Sequence, residues 1–355
     1  MTEVVVGTKK GLFVLEGDPA SGFEVTARAF AGEPVECAVR DPRSGRIFAG
    51  MTSPFYGPKI FYTDDPAGEW EQSSGLALPA GGENALKRMW VIVPGVEEAT
   101  LYAGGDPGVL FTSRDGGATW ELNQALWEHP TRDRWQPGGG GLCLHSIVPW
   151  PGEPDRLTIA ISAAGVWHTE DGGASWERGN DGLVPRYVPE EADEEIGLCV
   201  HRLDRAPKQP ARMFMQFHGG VYRSDDAGRS WSDVGTDTGL PSDFGFPLVV
   251  DPADPDSAYV IPLNADMDRV TPEGRVRVYE TRDAGASWAP RGDGLPDEHA
   301  YLTILRRAFD RSGEGDGLEL YFGATSGEVF ASDDAGATWS TAALRLPPVY
   351  SVTAS

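Results

Sequence analysis

The chain has 355 residues and a formal net charge of −24, from 54 acidic against 30 basic residues. That balance argues against nucleic acid and anionic membranes as partners, and no apolar run approaches the ~20 residues of a membrane helix. Three cysteines in so long a chain, Cys37, Cys143 and Cys199, make no disulfide framework.

Met1-Thr2-Glu3 leads straight into Val4-Val5-Val6 with no signal segment, so cytoplasmic residence is expected. Five segments then read [ST]-x-D-x-G-x-[ST]-W: Ser113–Trp120, Thr169–Trp176, Ser224–Trp231, Thr281–Trp288 and Ser332–Trp339. Asp65–Trp70 keeps the spacing with Ala67 and Glu69 at the Gly and Ser/Thr positions, and Asp18–Phe23 has Phe for Trp. The acids at 18, 65, 115, 171, 226, 283 and 334 are 47 to 57 residues apart. A repeat of roughly 40–50 residues with about four strands each is the signature of a β-propeller. Length alone would suggest two or three domains. The repeat instead predicts one seven-bladed, all-β propeller over 1–355, with four-stranded antiparallel blades.

Each repeated segment reads as a tight turn between the third and fourth strands. The Asp side chain accepts from backbone N–H groups a few residues on, Gly supplies φ > 0, and Trp anchors the turn in the sheet. These acids are therefore structural. In chain order the N-terminus offers Glu3–Gly7 as a second strand, Leu12–Leu15 as a third and Phe23–Ala27 as a fourth. Inner strands follow near Glu36–Arg40, Met89–Val93, Leu142–Pro149, Leu198–Leu203, Phe246–Val250 and Leu302–Arg307. Val349–Ala354 is left over, and it is expected to complete the first blade and remove its open edge.

This topology puts the short, uniform Asp turns and the strand 1–2 turns on one face. The long irregular segments Ser73–Leu86, Leu126–Gly141, Gly179–Gly197, Asp233–Gly245 and Asn264–Gly274 fall on the other, where function is expected at the channel mouth. The acidic run Glu190–Glu195 reads as a solvated loop. Aligning the inner strands places Cys37, Trp90, His145, His201, Pro247 and Ile304 at one level. Gly141-Leu142-Cys143-Leu144-His145 and Gly197-Leu198-Cys199-Val200-His201 are nearly the same string, and residues two apart share a face, so each Cys and His point the same way. His218 ends a second strand on the same side. His145, His201 and His218 are thus candidate ligands of one divalent metal ion, or His145 and His201 candidate acid–base groups; half-buried histidines linking blades are the competing structural reading. Arg88 and Trp90 suit a carboxylate, phosphate or sugar. Arg132 and Trp135, in the loop Trp127–Pro137 that precedes four glycines, and Asp266, in a second polar loop, are further substrate-binding candidates. Packing of the Trp127–Pro137 loop over the blade rim is the alternative.

The five intact segments resemble the BNR or Asp-box repeats of sialidases, sortilin-type receptors, xyloglucan-cleaving glycosidases and a photosystem II assembly factor, over nearly the whole chain. Through His218-Gly219-Gly220-Val221-Tyr222-Arg223-Ser224-Asp225-Asp226 and Phe244-Gly245-Phe246-Pro247 the chain is similar to a group of sialidase-like bacterial propellers classed with glycosyl hydrolases. The resemblance implies the fold and says little of the chemistry. Sialidases have six blades, an Arg-Ile-Pro motif, three arginines on a carboxylate, and a Tyr nucleophile paired with Glu. This chain has seven segments and no Arg-Ile-Pro. Its candidate arginines are Arg88, Arg202 and Arg306, of which Arg202 and Arg306 alternate away from the ring level, and Tyr301 is the candidate nucleophile. The expectation is a glycosidase- or lyase-like enzyme acting on a small-molecule or carbohydrate ligand. A non-catalytic binding or assembly propeller is the second reading.

Overall fold

The computed structural model describes residues 1–79, 85–186 and 197–355. The acidic run and parts of two of the long loops lie outside these residues. Seven four-stranded sheets form, each antiparallel and each counted outward from its inner strand. The first blade comprises Val349–Ala354, Thr2–Thr8, Gly11–Asp18 and Gly22–Ala29. Val4 pairs with Ala354 and Gly7 with Ser351, so the last strand is the innermost strand of the first blade. Glu3 and Ser355 exchange both backbone hydrogen bonds, at 3.2 and 3.0 Å.

Five of the other inner strands run at Val35–Arg40, Arg88–Pro94, Cys143–Trp150, Val200–Arg205 and Gly245–Val250, within two residues of their expected starts. The seventh blade differs. Its inner strand is Phe309–Ser312, not the expected Leu302–Arg307. That stretch is drawn off to the loop of the sixth blade, where Thr271 N–H donates to Leu302 O at 3.0 Å and the Leu302 N–H reaches Thr271 Oγ1 at 3.3 Å.

The Asp turns have one geometry. Asp171 Oδ1 accepts from Ser175 N at 2.9 Å and Thr169 Oγ1 at 2.7 Å, Oδ2 accepts from Ser175 Oγ at 2.6 Å, and Gly173 N donates to Thr169 Oγ1 at 2.8 Å. Asp115, Asp226, Asp283 and Asp334 repeat these bonds. The turn closes on its own strand 1–2 turn, as in Gly172 N to Asp155 O at 2.9 Å. These carboxylates are fully spent on the turn.

The turns also join neighbouring blades. Trp231 N–H donates to Asp181 O, Trp288 N–H to Thr238 O and Trp339 N–H to Asp293 O, each time into the preceding blade. The indoles of Trp231 and Trp288 add bonds to Gly179 O and Val234 O. Most of the core lies between adjacent sheets: Val91, Trp135, Ile159 and Trp176 belong to one apolar cluster, and Val200, Met215 and Trp231 to another.

Candidate functional site

The channel mouth is built by β-bulges. The ladder between the first two strands slips between Val35 and Cys37, Met89 and Val91, Leu144 and Ser146, Val200 and Arg202, and Gly245 and Leu248. The extra residues are Glu36, Trp90, His145, His201 and the pair Phe246-Pro247. The first blade slips likewise between Val349 and Ser351, leaving Tyr350 as its extra residue. A bulge re-aims the extra side chain out of the pleat, so the same site in six blades yields a ring of such residues. Cys37 was expected at this level. It is instead buried in the core beside Met89, because the bulge one residue earlier presents Glu36.

Contacts between blades confirm the ring. Glu36 pairs with Arg88 at 3.3 Å. The Arg88 guanidinium lies 5.0 Å over Trp90. The Arg306 guanidinium approaches Phe246 at 4.7 Å and Trp90 at 5.9 Å, and His201 packs on Phe246 at 4.8 Å. Arg306, which strict alternation turns away, enters the ring because it stands in a turn just before its strand. Its guanidinium has no carboxylate within ion-pair distance among the described residues, and its Nε is buried without a hydrogen-bond partner.

Beside it Cys199, His201 and His218 form a group whose ligand atoms all lie within 4.8 Å of one another, and among the described residues this is the one such set able to hold a metal ion. Their local structure holds them there. His201 Nδ1 is 2.6 Å from Gly245 O, so that nitrogen donates and Nε2 keeps its lone pair. His218 N–H donates to Cys199 O at 2.9 Å, and the two rings meet edge to face at 5.2 Å. Burial, helped by Arg306, holds His201 well below the usual imidazole range, and burial also lowers His218, so both are neutral near pH 7. Burial raises the Cys199 thiol, while Arg306 favours its thiolate.

The expected trio of histidines is corrected on one member. His145 is fully buried, with Nε2 2.7 Å from Val200 O and 3.0 Å from Ser162 Oγ, and Nδ1 3.1 Å from Ser146 Oγ. Both of its nitrogens are occupied, and it links two blades. Cys199 stands in its place; the signal was the shared face of Cys199 and His201.

Two carboxyls at this mouth escaped the sequence reading. Glu36 and Asp106 are nearly buried, and burial raises the pKa of each, against the pull of Arg88 on Glu36 and of Lys87 and Arg88 on Asp106. Asp106 Oδ1 has no hydrogen-bond partner. Nothing in an Asp-Pro pair marks such an acid.

The remaining candidates divide. Asp266 Oδ2 lies 3.7 Å from His218 Nε2 and so joins the group. Trp135 does not: it is buried on Trp167 at 5.0 Å, with its indole N–H on Thr131 Oγ1. Arg132 is clamped between Trp127 and Trp135, and donates to Gly108 O at 2.7 Å and to Pro107 O. Burial lowers it to about 10. This loop packs on the propeller and presents no stacking face. Tyr301 is 62% exposed and lies over Gly274, outside the ring.

These features define a seven-bladed propeller with a polar, partly cationic channel mouth. No family model matches the chain. An oligoxyloglucan-reducing end-specific xyloglucanase of Emericella nidulans is 25% identical over 153 residues, which are 43% of this chain and 17% of that enzyme. Among solved structures, an ancestral GH74 enzyme matches 90% of this chain and 38% of its own, at TM-score 0.57 and 16% identity. YCF48 of Cyanidioschyzon merolae matches at TM-score 0.54 and 13% identity, over 87% of this chain and 84% of that one. Apo AztD of Citrobacter koseri matches at TM-score 0.53 and 12% identity, over 100% and 98%. At such identities the structural likenesses establish the fold. Among the described residues no helix is long and apolar enough to cross a membrane.

Proposed function

We propose that the long-loop mouth is the site of a glycosidase- or lyase-like enzyme acting on a small carbohydrate-class ligand, with a divalent metal held by Cys199, His201 and His218. The observation that carries this reading is the convergence of those three ligand atoms within 4.8 Å. Two neutral imidazoles and a thiolate are a donor set for zinc or copper, and three protein ligands leave a position for a ligand oxygen. The bond from His201 to Gly245 O fixes ring and tautomer, as backbone partners do for metal-binding histidines. When bound, the metal would supply Lewis-acid polarisation of that oxygen.

The chain's own groups supply the rest. Arg88 and Arg306 grip an anionic or strongly polarised oxygen, and Trp90 offers a ring face to a sugar. Glu36 and Asp106, raised by burial, retain a proton to higher pH than ordinary carboxyls and serve as general acids. The similarity of 43% of the chain to a xyloglucanase, at 25% identity, supports the carbohydrate class.

The test is elemental analysis of protein purified without chelator, followed by calorimetric titration of the apoprotein with zinc. The expected result is one metal per chain, lost in Cys199→Ser and His218→Ala with folding retained. A wild-type chain that takes up no zinc or copper sinks the metal. A second reading, a non-catalytic scaffold, is favoured by the pair Arg311–Asp204, which joins the seventh and fifth blades across the channel at 2.5 Å.

A further inference from the structure

The other mouth of the channel, on the face of the Asp turns, holds a second group of charged side chains. The inner strands end there. Arg202 and Arg205 come from the fifth blade, Arg311 from the seventh and Arg307 from the turn before it, and together with Ser146 and Asp204 they line a cavity of about 200 Å³. Four guanidiniums around one small cavity are unexpected in a chain of net charge −24.

Of these four, Arg311 alone has an ion pair among the described residues. Asp204 is spent: Oδ2 accepts from Arg311 at 2.5 Å and from Val250 N at 2.9 Å, and Oδ1 accepts from Arg205 N at 2.9 Å. Asp251 Oδ1 is taken by the backbone N–H groups of Ala253 and Gly315. Asp310 accepts from Ala354 N at 3.2 Å, and burial favours its neutral form. Arg202 is 7% exposed, its Nε has one long contact to Leu248 O at 3.4 Å, and its Nη1 is buried without a partner. Arg205 stacks on Trp150 at 4.5 Å and donates to Thr158 Oγ1, and its Nε is also unpartnered. Arg307 has no ion pair, and no hydrogen bond from its guanidinium, among the described residues.

An unpaired buried guanidinium costs several kcal/mol unless an anion answers it. We propose that this cavity binds the phosphate group of a small molecule, with Arg202, Arg307 and the outer edge of Arg311 as donors. Guanidiniums approaching from the ends of separate elements match the three equivalent oxygens of a phosphomonoester better than the two in-plane oxygens of a carboxylate. The size of the cavity admits a phosphate with a short organic stem. The site is separate from the long-loop mouth and does not rest on the reading given to it.

The experiment is calorimetry at low ionic strength on the full chain with three probes: inorganic phosphate, glycerol 3-phosphate and citrate. Saturable binding of a phosphate probe at low millimolar concentration or tighter is expected, weakened at least about tenfold in Arg307→Gln. That side chain makes no bond whose loss would unfold the protein, so its melting temperature should match the wild type; Arg202→Gln, at a more buried position, is the second variant. Glycerol 3-phosphate binding more tightly than phosphate identifies an organic ligand, and equal affinity identifies the free ion. Absence of phosphate binding, citrate binding as tightly as either phosphate probe, or binding unchanged in Arg307→Gln overturns the proposal.

Discussion

At the residue scale, two copies of one string meet different fates. His145 and His201 occupy equivalent bulges, yet each ring is settled by its neighbour. His145 finds a carbonyl and two hydroxyls. His201 finds one carbonyl and then a second imidazole. His145→Ala should therefore cost about 2–4 kcal/mol, from a cavity and an unpaired Val200 carbonyl, and leave metal uptake intact; urea denaturation and the zinc titration measure the two effects. A third histidine gives a pH signature. His168 bridges Thr158 Oγ1 and Gly228 O in the next blade, and burial, with smaller help from Arg229 and Arg205 and opposed by the Gly228 carbonyl bond and by Asp226, lowers it to about 4. Its unfolded counterpart titrates near 6.5, so between these values the unfolded chain binds the extra proton. Stability is then complete above pH ~6.5 and falls towards pH 4, by at most about 3 kcal/mol from this group. Thermal melts from pH 7 to 5 should show the decline, and His168→Gln should flatten it.

At the element scale, the inner strands other than the seventh were legible because the Asp turn resets the register from blade to blade. The channel was not, because a bulge in six of the seven inner strands exchanges the two faces. Hence Glu36 displaced Cys37; Arg306 entered the ring from the turn that precedes the seventh inner strand. Trp135 and Arg132 misled for another reason: aromatic and basic residues in a loop look the same whether they hold a ligand or hold the loop down. A second repeat also went unread. Gly75, Gly182, Gly239 and Gly294 each precede Leu, all have positive φ from +82 to +105°, and each faces the carbonyl of the next blade's Trp. A methyl on Gly294 would sit 2.2 Å from Trp339 O. Gly294→Ala should lower stability by about 1–3 kcal/mol, read as a fall in the urea midpoint; an unchanged midpoint would show that the joint between blades yields.

At the scale of the whole molecule, ring closure was predicted from a single surplus strand, and the pairing of Val4 with Ala354 bears it out. Removing residues 348–355 takes the innermost strand from the first blade and exposes the edge of Thr2–Thr8. The truncated chain should lose its cooperative melting transition, and an unaltered melt would contradict the closure.

The same closure orders events during synthesis. Blades two to seven can assemble as they leave the ribosome, since each depends on neighbours already made or next in line. The first blade cannot: its N-terminal three strands must wait, one edge bare, until residues 349–354 arrive. Until those residues emerge, the edge of Thr2–Thr8 stays open to pairing with another chain's strand rather than its own. The paired strands Thr2–Thr8 and Val349–Ala354 serve as the clasp of the ring.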